Sequence, residues 1–140
     1  MAMQKALLDA GAAVDVVGTH LGTLVAADGQ EISAPKSVLT DASVMYDAVY
    51  VPGGADGAAA LQANADAIHF VQEAFKHYKP IAANGAGADV LTTAAVNADD
   101  PGIVVAQDGA AQAGSVIDAF LAAIGKHRFW DRTRAGVMPA

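Results

Sequence analysis

Cysteine is absent from the 140 residues. That excludes disulfides, thiolate-ligated zinc and thiol catalysis. Glutamate is scarce: Glu31 and Glu73 are the two glutamates among 15 acidic residues. Aromatic residues make up only 6% of the chain, so a core has to be built from small side chains, alanine above all. Basic residues number 8 against 15 acidic ones, for a net charge of −7 and a pI near 4.7. Such a surface repels phosphate backbones, which argues against nucleic acid as a partner. No apolar run reaches the roughly 18 residues of a membrane span without a Gly, Asp or Pro. No signal peptide is legible, and the expected location is cytoplasmic.

What remains is 54% apolar and 14.1 kDa, the size of one domain. Residues 3–10 read as a helix with Leu7 and Leu8 inward and Gly11 as its stop. Residues 12–17 alternate as a strand. Asp28-Gly29, inside 24–33, predicts a hairpin with a type I′ turn. Residues 35–43 read as loop. Residues 47–51 form a continuously apolar strand, as buried parallel strands do. Helical spacing follows over 66–78 at Ile68, Val71, Phe75 and Tyr78. Then come a strand at 80–83, a glycine turn at 85–87 and a short helix at 88–93. A strand at 103–106 and a helix at 115–124, capped by Gly125, complete the pattern. The inward side of that last helix is Val116, Ile117, Phe120, Leu121 and Ile124. This alternation predicts a doubly wound α/β domain with a mostly parallel sheet and helices on both faces. Such a domain ordinarily begins with a central strand, and here a helix comes first. The expectation is that the first strand is missing from this chain, supplied by polypeptide upstream of Met1 or by another segment or chain.

Two glycine corners draw attention to a site. Tyr46–Gly54, YDAVYVPGG, ends a strand at Pro52-Gly53-Gly54. Lys79–Leu91, KPIAANGAGADVL, ends another at Asn84-Gly85-Ala86-Gly87. Acyl chemistry at a strand-to-helix elbow needs a thiol or hydroxyl, a base and free backbone N–H groups. Gly85 offers no side chain, Ala86 no base, and Asn84 is a poor nucleophile. No Lys-Ser/Thr follows Gly57, so the first corner is not a phosphate-binding P-loop. His20, His69, His77 and His127 show no paired metal spacing. His77 reads as a helix end, where its imidazolium suits the dipole. Asp99-Asp100 before Pro101 is a solvated turn. The tail GKHRFWDRTRAGVMPA holds the lone tryptophan, Trp130, beside Phe129 and among Lys126, Arg128, Arg132 and Arg134. An aromatic tail of this kind packs onto its own domain, or onto another domain or subunit.

The two corners resemble those of the class I glutamine amidotransferase-like superfamily, which includes the PfpI proteases and has a flavodoxin-like fold. There the second corner carries a nucleophilic cysteine, often followed by histidine, and the first corner helps form an oxyanion hole. Here those positions are Gly85 and Ala86. The superfamily's glutamate follows the first strand and falls outside this sequence. EAFKHYKPIAANG at Glu73–Gly85, together with KHRFWDR at Lys126–Arg132 and the closing MPA, resembles the C-terminal domain of large-subunit haem catalases. That resemblance covers essentially the whole chain. It implies residues 1–125 as an amidotransferase-like α/β domain lacking its first strand, and 126–140 as an aromatic, basic tail. It implies no catalytic, cofactor-binding or metal residue in this domain. Gly53, Gly54, Asn84, Gly85 and Ala86 would be loops of a degenerate site, and His127, Arg128, Phe129 and Trp130 interface candidates. Haem and hydrogen-peroxide dismutation would belong to a longer parent enzyme. The partners implied are the catalase core of the same polypeptide and, through it, a tetramer. The domain's role would be to stabilise that tetramer, cover a channel approach or bind unfolded chains. The alternative is a free-standing PfpI-like stress or chaperone protein without the cysteine. An active hydrolase or glyoxalase is the weakest reading.

Overall fold

A computed structural model describes residues 2–26, 28–106 and 110–132, the side chains of 110–113 excepted. It divides into two compact units, Met1–Asp41 and Ala42–Ala140.

The first unit opens with helix α1 (Ala2–Asp9), whose buried stripe is Met3 and Leu7, one turn apart. Leu8, expected inward, is 52% exposed, because it sits a further 100° round from Leu7. Gly11 ends the helix as expected: its φ is 87°, and Ala12 N–H reaches back to the Leu7 carbonyl at 2.9 Å. The strand expected over 12–17 is corrected to β1 (Val17–Gly18), which runs parallel to β4 (Lys36–Ser37). Residues 12–16 have no ladder partner among the described residues, and alternation alone does not make a strand. The β4 pair falls inside the segment expected to be loop. Strands β2 (Gly22–Val25) and β3 (Glu31–Ala34) form the antiparallel hairpin foreseen at Asp28-Gly29. Its turn is longer than the type I′ expected, since Ala26 N–H bonds the Gln30 carbonyl at 2.8 Å and Gly29 N–H the Ala26 carbonyl at 2.9 Å.

The second unit is built on three parallel strands in the order β5-β6-β7. These are β5 (Val49–Val51), β6 (Ile81–Asn84) and β7 (Ile103–Ala106). Register explains the layering. Val49, Ile81 and Ile103 lie side by side, as do Val51, Ala83 and Val105. All six belong to or pack against one core cluster, with Val71, Ala74, Phe75, Val90, Leu91 and Val96. That face is covered by α2 (Ala55–Gln62), α3 (Ala65–Lys76) and α4 (Gly87–Thr93). The alternate residues, Tyr50 and Ala82, point to the other face. There the Tyr50 ring lies 6.4 Å from Phe120 of α5 (Ala110–Lys126). The fold is therefore α/β, with mostly parallel strands and helices on both faces of this sheet. Three strands are few for a doubly wound domain, as in a partial fold.

Two corrections concern helices. Helix α2 was not foreseen, because its run ADGAAALQ carries little apolar periodicity. Helix α5 runs through Gly125, expected as its cap, to Lys126. The left-handed residue is His127, at φ 70°. Helix α3 stops at Tyr78, φ 62°, with Lys79 N–H on the Ala74 carbonyl (3.1 Å) and Tyr78 N–H on that of Phe75 (3.0 Å). Helix α4 ends likewise at Ala95, φ 60°, with Val96 N–H on the Leu91 carbonyl at 2.9 Å.

A left-handed alanine is strained where glycine is not. Ala95 is exposed and its side chain has little to lose. Ala95→Gly is expected to stabilise the chain by about 0.5–1 kcal/mol. A thermal midpoint that stays put or falls counts against the strained stop.

Candidate functional site: a closed elbow and a docked tail

The structure brings the two glycine corners together. Gly85 follows β6 at φ 49°, the left-handed conformation of an elbow, and Ala86 precedes α4. The Pro52-Gly53-Gly54 corner leaves β5 alongside it. Their backbones interlock at glycines. A Cβ on Gly53 would lie 2.5 Å from the Asn84 carbonyl oxygen, and one on Gly87 2.6 Å from that of Val51. A Cβ on Gly85 would lie 3.3 Å from the Gly53 oxygen. The position where a nucleophile would project thus faces the neighbouring loop's carbonyl.

Two hydrogen bonds fix polar groups at this corner. Gly85 N–H bonds the Ala106 carbonyl at 3.0 Å. Tyr50 donates its hydroxyl to Asn84 Oδ1 at 2.8 Å. Burial raises the Tyr50 phenol above its ordinary value, so it stays neutral and donating at neutral pH. Gly53 lies against Asn84 and Gly85 here, Gly54 faces open space, and none of Gly53, Gly54, Asn84, Gly85 and Ala86 has a side chain that ionises near neutrality. The arrangement holds two loops in register, with no nucleophilic side chain among these five residues.

The second feature is the tail. Phe129 N–H bonds the Tyr78 carbonyl at 2.9 Å, and the Phe129 ring lies against Gly102, φ 81°, where a Cβ would be 2.4 Å from the ring edge. Arg132 is only 2% exposed. Its Nε and Nη2 donate to the Pro101 carbonyl at 3.0 and 2.7 Å. Nη1 reaches the Phe75 carbonyl at 2.8 Å and Nη2 that of Lys79 at 3.0 Å. The guanidinium lies 4.5 Å over the Phe75 ring. Burial lowers its pKa to about 10, with Asp100 and Asp131 opposing the fall, so it is charged at neutral pH.

Lys79, also 2% exposed, extends its Nζ to the carbonyls of Ser43 (2.9 Å), Val44 (2.9 Å) and Tyr46 (2.5 Å). These belong to the 3-10 turn Ser43–Met45 and the residue after it. Burial is the largest cause pulling its pKa down, followed by the Arg128 charge.

Of the interface candidates, His127 is exposed and Arg128 bonds back to it, Nη1 to Nδ1 at 2.8 Å and to the carbonyl at 2.9 Å. Phe129 is half-buried. Trp130 is 74% exposed, though its ring lies 5.1 Å from that of Tyr78. Arg134 and the closing MPA fall outside the described residues. Sequence reasoning missed Arg132 and Lys79 as structural residues, since isolated cations read as surface. The nearest signal for Lys79 is the proline after it, which ends a helix and starts a strand. His77 does end α3, with Nε2 3.3 Å from Glu73 Oε2.

Two outcomes test these sites. Gly87→Ala is expected to cost at least about 2 kcal/mol, because backbone must move, whereas Gly57→Ala, in open space within α2, should stabilise by about 0.5–1 kcal/mol. Equal urea midpoints for the two would remove the interlock. Arg132→Lys keeps the charge but not the planar fork, and should lose about 2–4 kcal/mol. A loss below about 0.5 kcal/mol would show that the fork is dispensable.

Three comparisons bear on this fold. A family model described as the C-terminal domain found in long catalases matches residues 1–134. Catalase-2 of Bacillus subtilis is 38% identical over 91% of this chain, which covers 18% of that protein. Catalase HPII of Mycobacterium avium is 37% identical over 93% of the chain and 20% of its own length. Catalase HPII of Pseudomonas aeruginosa is 33% identical over 95% and 18%. The chain thus spans about a fifth of the length of these relatives. Among solved structures, a two-domain protein of Anabaena variabilis with DJ-1/ThiJ/PfpI-like and ferritin-like domains superposes with a TM-score of 0.66. It is 24% identical and is matched over 84% of this chain and 33% of its own. That likeness shows the fold.

Proposed function

Because this chain belongs to the family of C-terminal domains found in long catalases, we propose that it is a non-catalytic accessory domain of such an enzyme. The observation that carries this is the closed elbow. Position 85 has no side chain, and a Cβ there would lie 3.3 Å from the Gly53 carbonyl oxygen. Peroxide dismutation then belongs to the rest of the parent polypeptide, with haem bound there.

The described residues do not fit a haem. His20, His69, His77 and His127 are all exposed rather than set in an apolar pocket. The Tyr50 oxygen is engaged with Asn84, and the Tyr78 ring with Trp130. No haem chemistry is routed through these residues.

What the domain does contribute is a braced, exposed indole. Trp130 stands on Tyr78 beside Lys126 and Arg128, a basic edge on a protein of net charge −7. An aromatic held rigidly and left open is the pattern of an interface anchor. We assign 126–140 as a docking tail, with His127, Arg128 and Trp130 facing the catalase core, Phe129 anchoring the tail on Gly102, and tetramer stabilisation as the role. Channel cover and chaperone-like capture of unfolded chains would use the same exposed surface. Among the described residues, no helix is long and apolar enough to cross a membrane.

The deciding measurement is the denatured mass of the protein purified from its source, with its absorption spectrum. A chain several times heavier than 14.1 kDa with a Soret band is the expected result. In that parent, Trp130→Ala should lower the heat resistance of the tetramer while the domain stays folded. An unchanged melting profile and unchanged oligomer mass would refute the docking role.

A further inference from the structure

The chain holds three asparagines, and their neighbours differ. Asn64 and Asn97 are each followed by alanine, Asn84 by glycine. Asparagine is thermolabile because the next residue's main-chain nitrogen can attack its side-chain amide carbon. Glycine in the next position leaves that nitrogen unshielded, since it has no Cβ. The other two asparagines are also occupied as local caps. Asn64 Oδ1 accepts from Ala67 N–H at 2.9 Å, and Asn97 Oδ1 from Asp99 N–H at 3.0 Å.

At Asn84 the fold restrains both reacting groups. Asn84 is the last residue of β6, and its register partner Ala106 is the last of β7. One residue on, Gly85 N–H donates to the Ala106 carbonyl at 3.0 Å. While that bond holds, the nitrogen keeps its proton and faces β7 rather than the Asn84 amide. The amide is held by Tyr50, whose hydroxyl donates to Oδ1 at 2.8 Å. A donor on that oxygen draws electrons from the carbon to be attacked. The reaction is thus primed at the amide and blocked at the nitrogen. The block is one hydrogen bond at the end of a ladder, where local opening costs least. Asn84 and Gly85 are half-buried rather than enclosed, which leaves water access.

We propose that Asn84 is a modification site, deamidated to aspartate and isoaspartate when the Gly85–Ala106 bond opens. The Gly85 nitrogen gives up its proton and attacks Asn84 Cγ. A new C–N bond forms, the Cγ–Nδ2 bond breaks, and Nδ2 leaves as ammonia carrying the proton. Water then opens the cyclic imide. Opening at Cγ gives aspartate, and opening at the main-chain carbonyl gives isoaspartate. Aspartate keeps an acceptor for the Tyr50 hydroxyl. Isoaspartate routes the main chain through the side chain and lengthens it by a methylene. The elbow has no slack for that, since a Cβ on Gly53 would already lie 2.5 Å from the Asn84 carbonyl oxygen. The chemistry needs only this chain and water, so it stands apart from the accessory-domain reading.

The experiment is a timed incubation of the 140-residue chain at mildly alkaline pH, folded and in denaturing urea. Peptides holding Asn64, Asn84 and Asn97 are followed by mass and by isoaspartate content. In urea, Asn84 should react at least about 10-fold faster than the other two. In the folded chain Asn84 should still react, about 10- to 100-fold more slowly than in urea. Its folded rate should track hydrogen exchange of the Gly85 amide and stay level in urea below the unfolding transition. Asn84→Gln moves the amide carbon one bond further from the nitrogen and should abolish the signal. A folded chain whose Asn84 stays intact while the unfolded chain is consumed overturns the site. A folded rate equal to the unfolded one overturns the block at Gly85, and so does a rate that climbs with urea in step with global unfolding. Reaction at Asn64 or Asn97 as fast as at Asn84 overturns the role of the glycine. The wild-type incubations decide even if Asn84→Gln fails to fold.

Discussion

Four hydrogen bonds from Arg132 to the carbonyls of Phe75, Lys79 and Pro101 tie the tail to three points 31 to 57 residues before it. They are the end of α3, the start of β6 and the turn before β7. The carbonyls at a helix C-terminus lack intrahelical donors and carry the negative end of the dipole, so a buried guanidinium suits them. The planar fork supplies donors in the directions these carbonyls need, and Phe75 supplies a face to stack on. Lys79 continues the same junction outward, its ammonium collecting the carbonyls around the Ser43–Met45 turn. The entry to β5, the entry to β6 and the tail are thereby fixed by two buried cations. With few aromatics and an alanine-rich core, the unit depends on such directed bonds more than an aromatic-rich core would.

That junction also explains the posture of the tail. Arg132 and Phe129 are drawn inward, the first by carbonyls and the second by Gly102 and the Tyr78 carbonyl. Trp130, between them, is left outside against Tyr78. Tyr78 occupies a left-handed position where glycine would be less strained, and its ring and carbonyl both serve the tail. A single residue thus ends a helix and braces the exposed indole. The elbow obeys the opposite logic. Its glycines let two loops approach until a Cβ at Gly53 or Gly87 would meet the other loop's backbone oxygen.

Strands and helices with strong periodicity were legible in advance. Residues 103–106 read as a strand and are one, and the spacing of Val71 and Phe75 read as the buried face of α3 and is one. The alanine run of α2 was not legible, because alanine marks neither inside nor outside. Leu8 was misread because Met3, not Leu8, partners Leu7 one turn away. The end of α5 was misread because glycine at 125 signals a stop, while docking of Phe129 sets it two residues later, at His127. Arg132 was read only as one basic residue among four, since nothing in a linear sequence announces three carbonyls waiting at a distance.

By itself the sequence determined the class of the domain and which side chains its elbow lacks. Apolar runs of strand length alternating with helical spacing specify α/β layering, and a chain without cysteine, with glycine at the elbow, has no nucleophile there. Those properties depend on residue identity and local spacing. Only the tertiary structure decided that the elbow is closed by its neighbouring loop, that the buried cations are Lys79 and Arg132, and that β5 keeps an unpaired edge among the described residues. Each of these depends on which backbone carbonyls and N–H groups meet across the fold, and backbone groups are the same in every sequence.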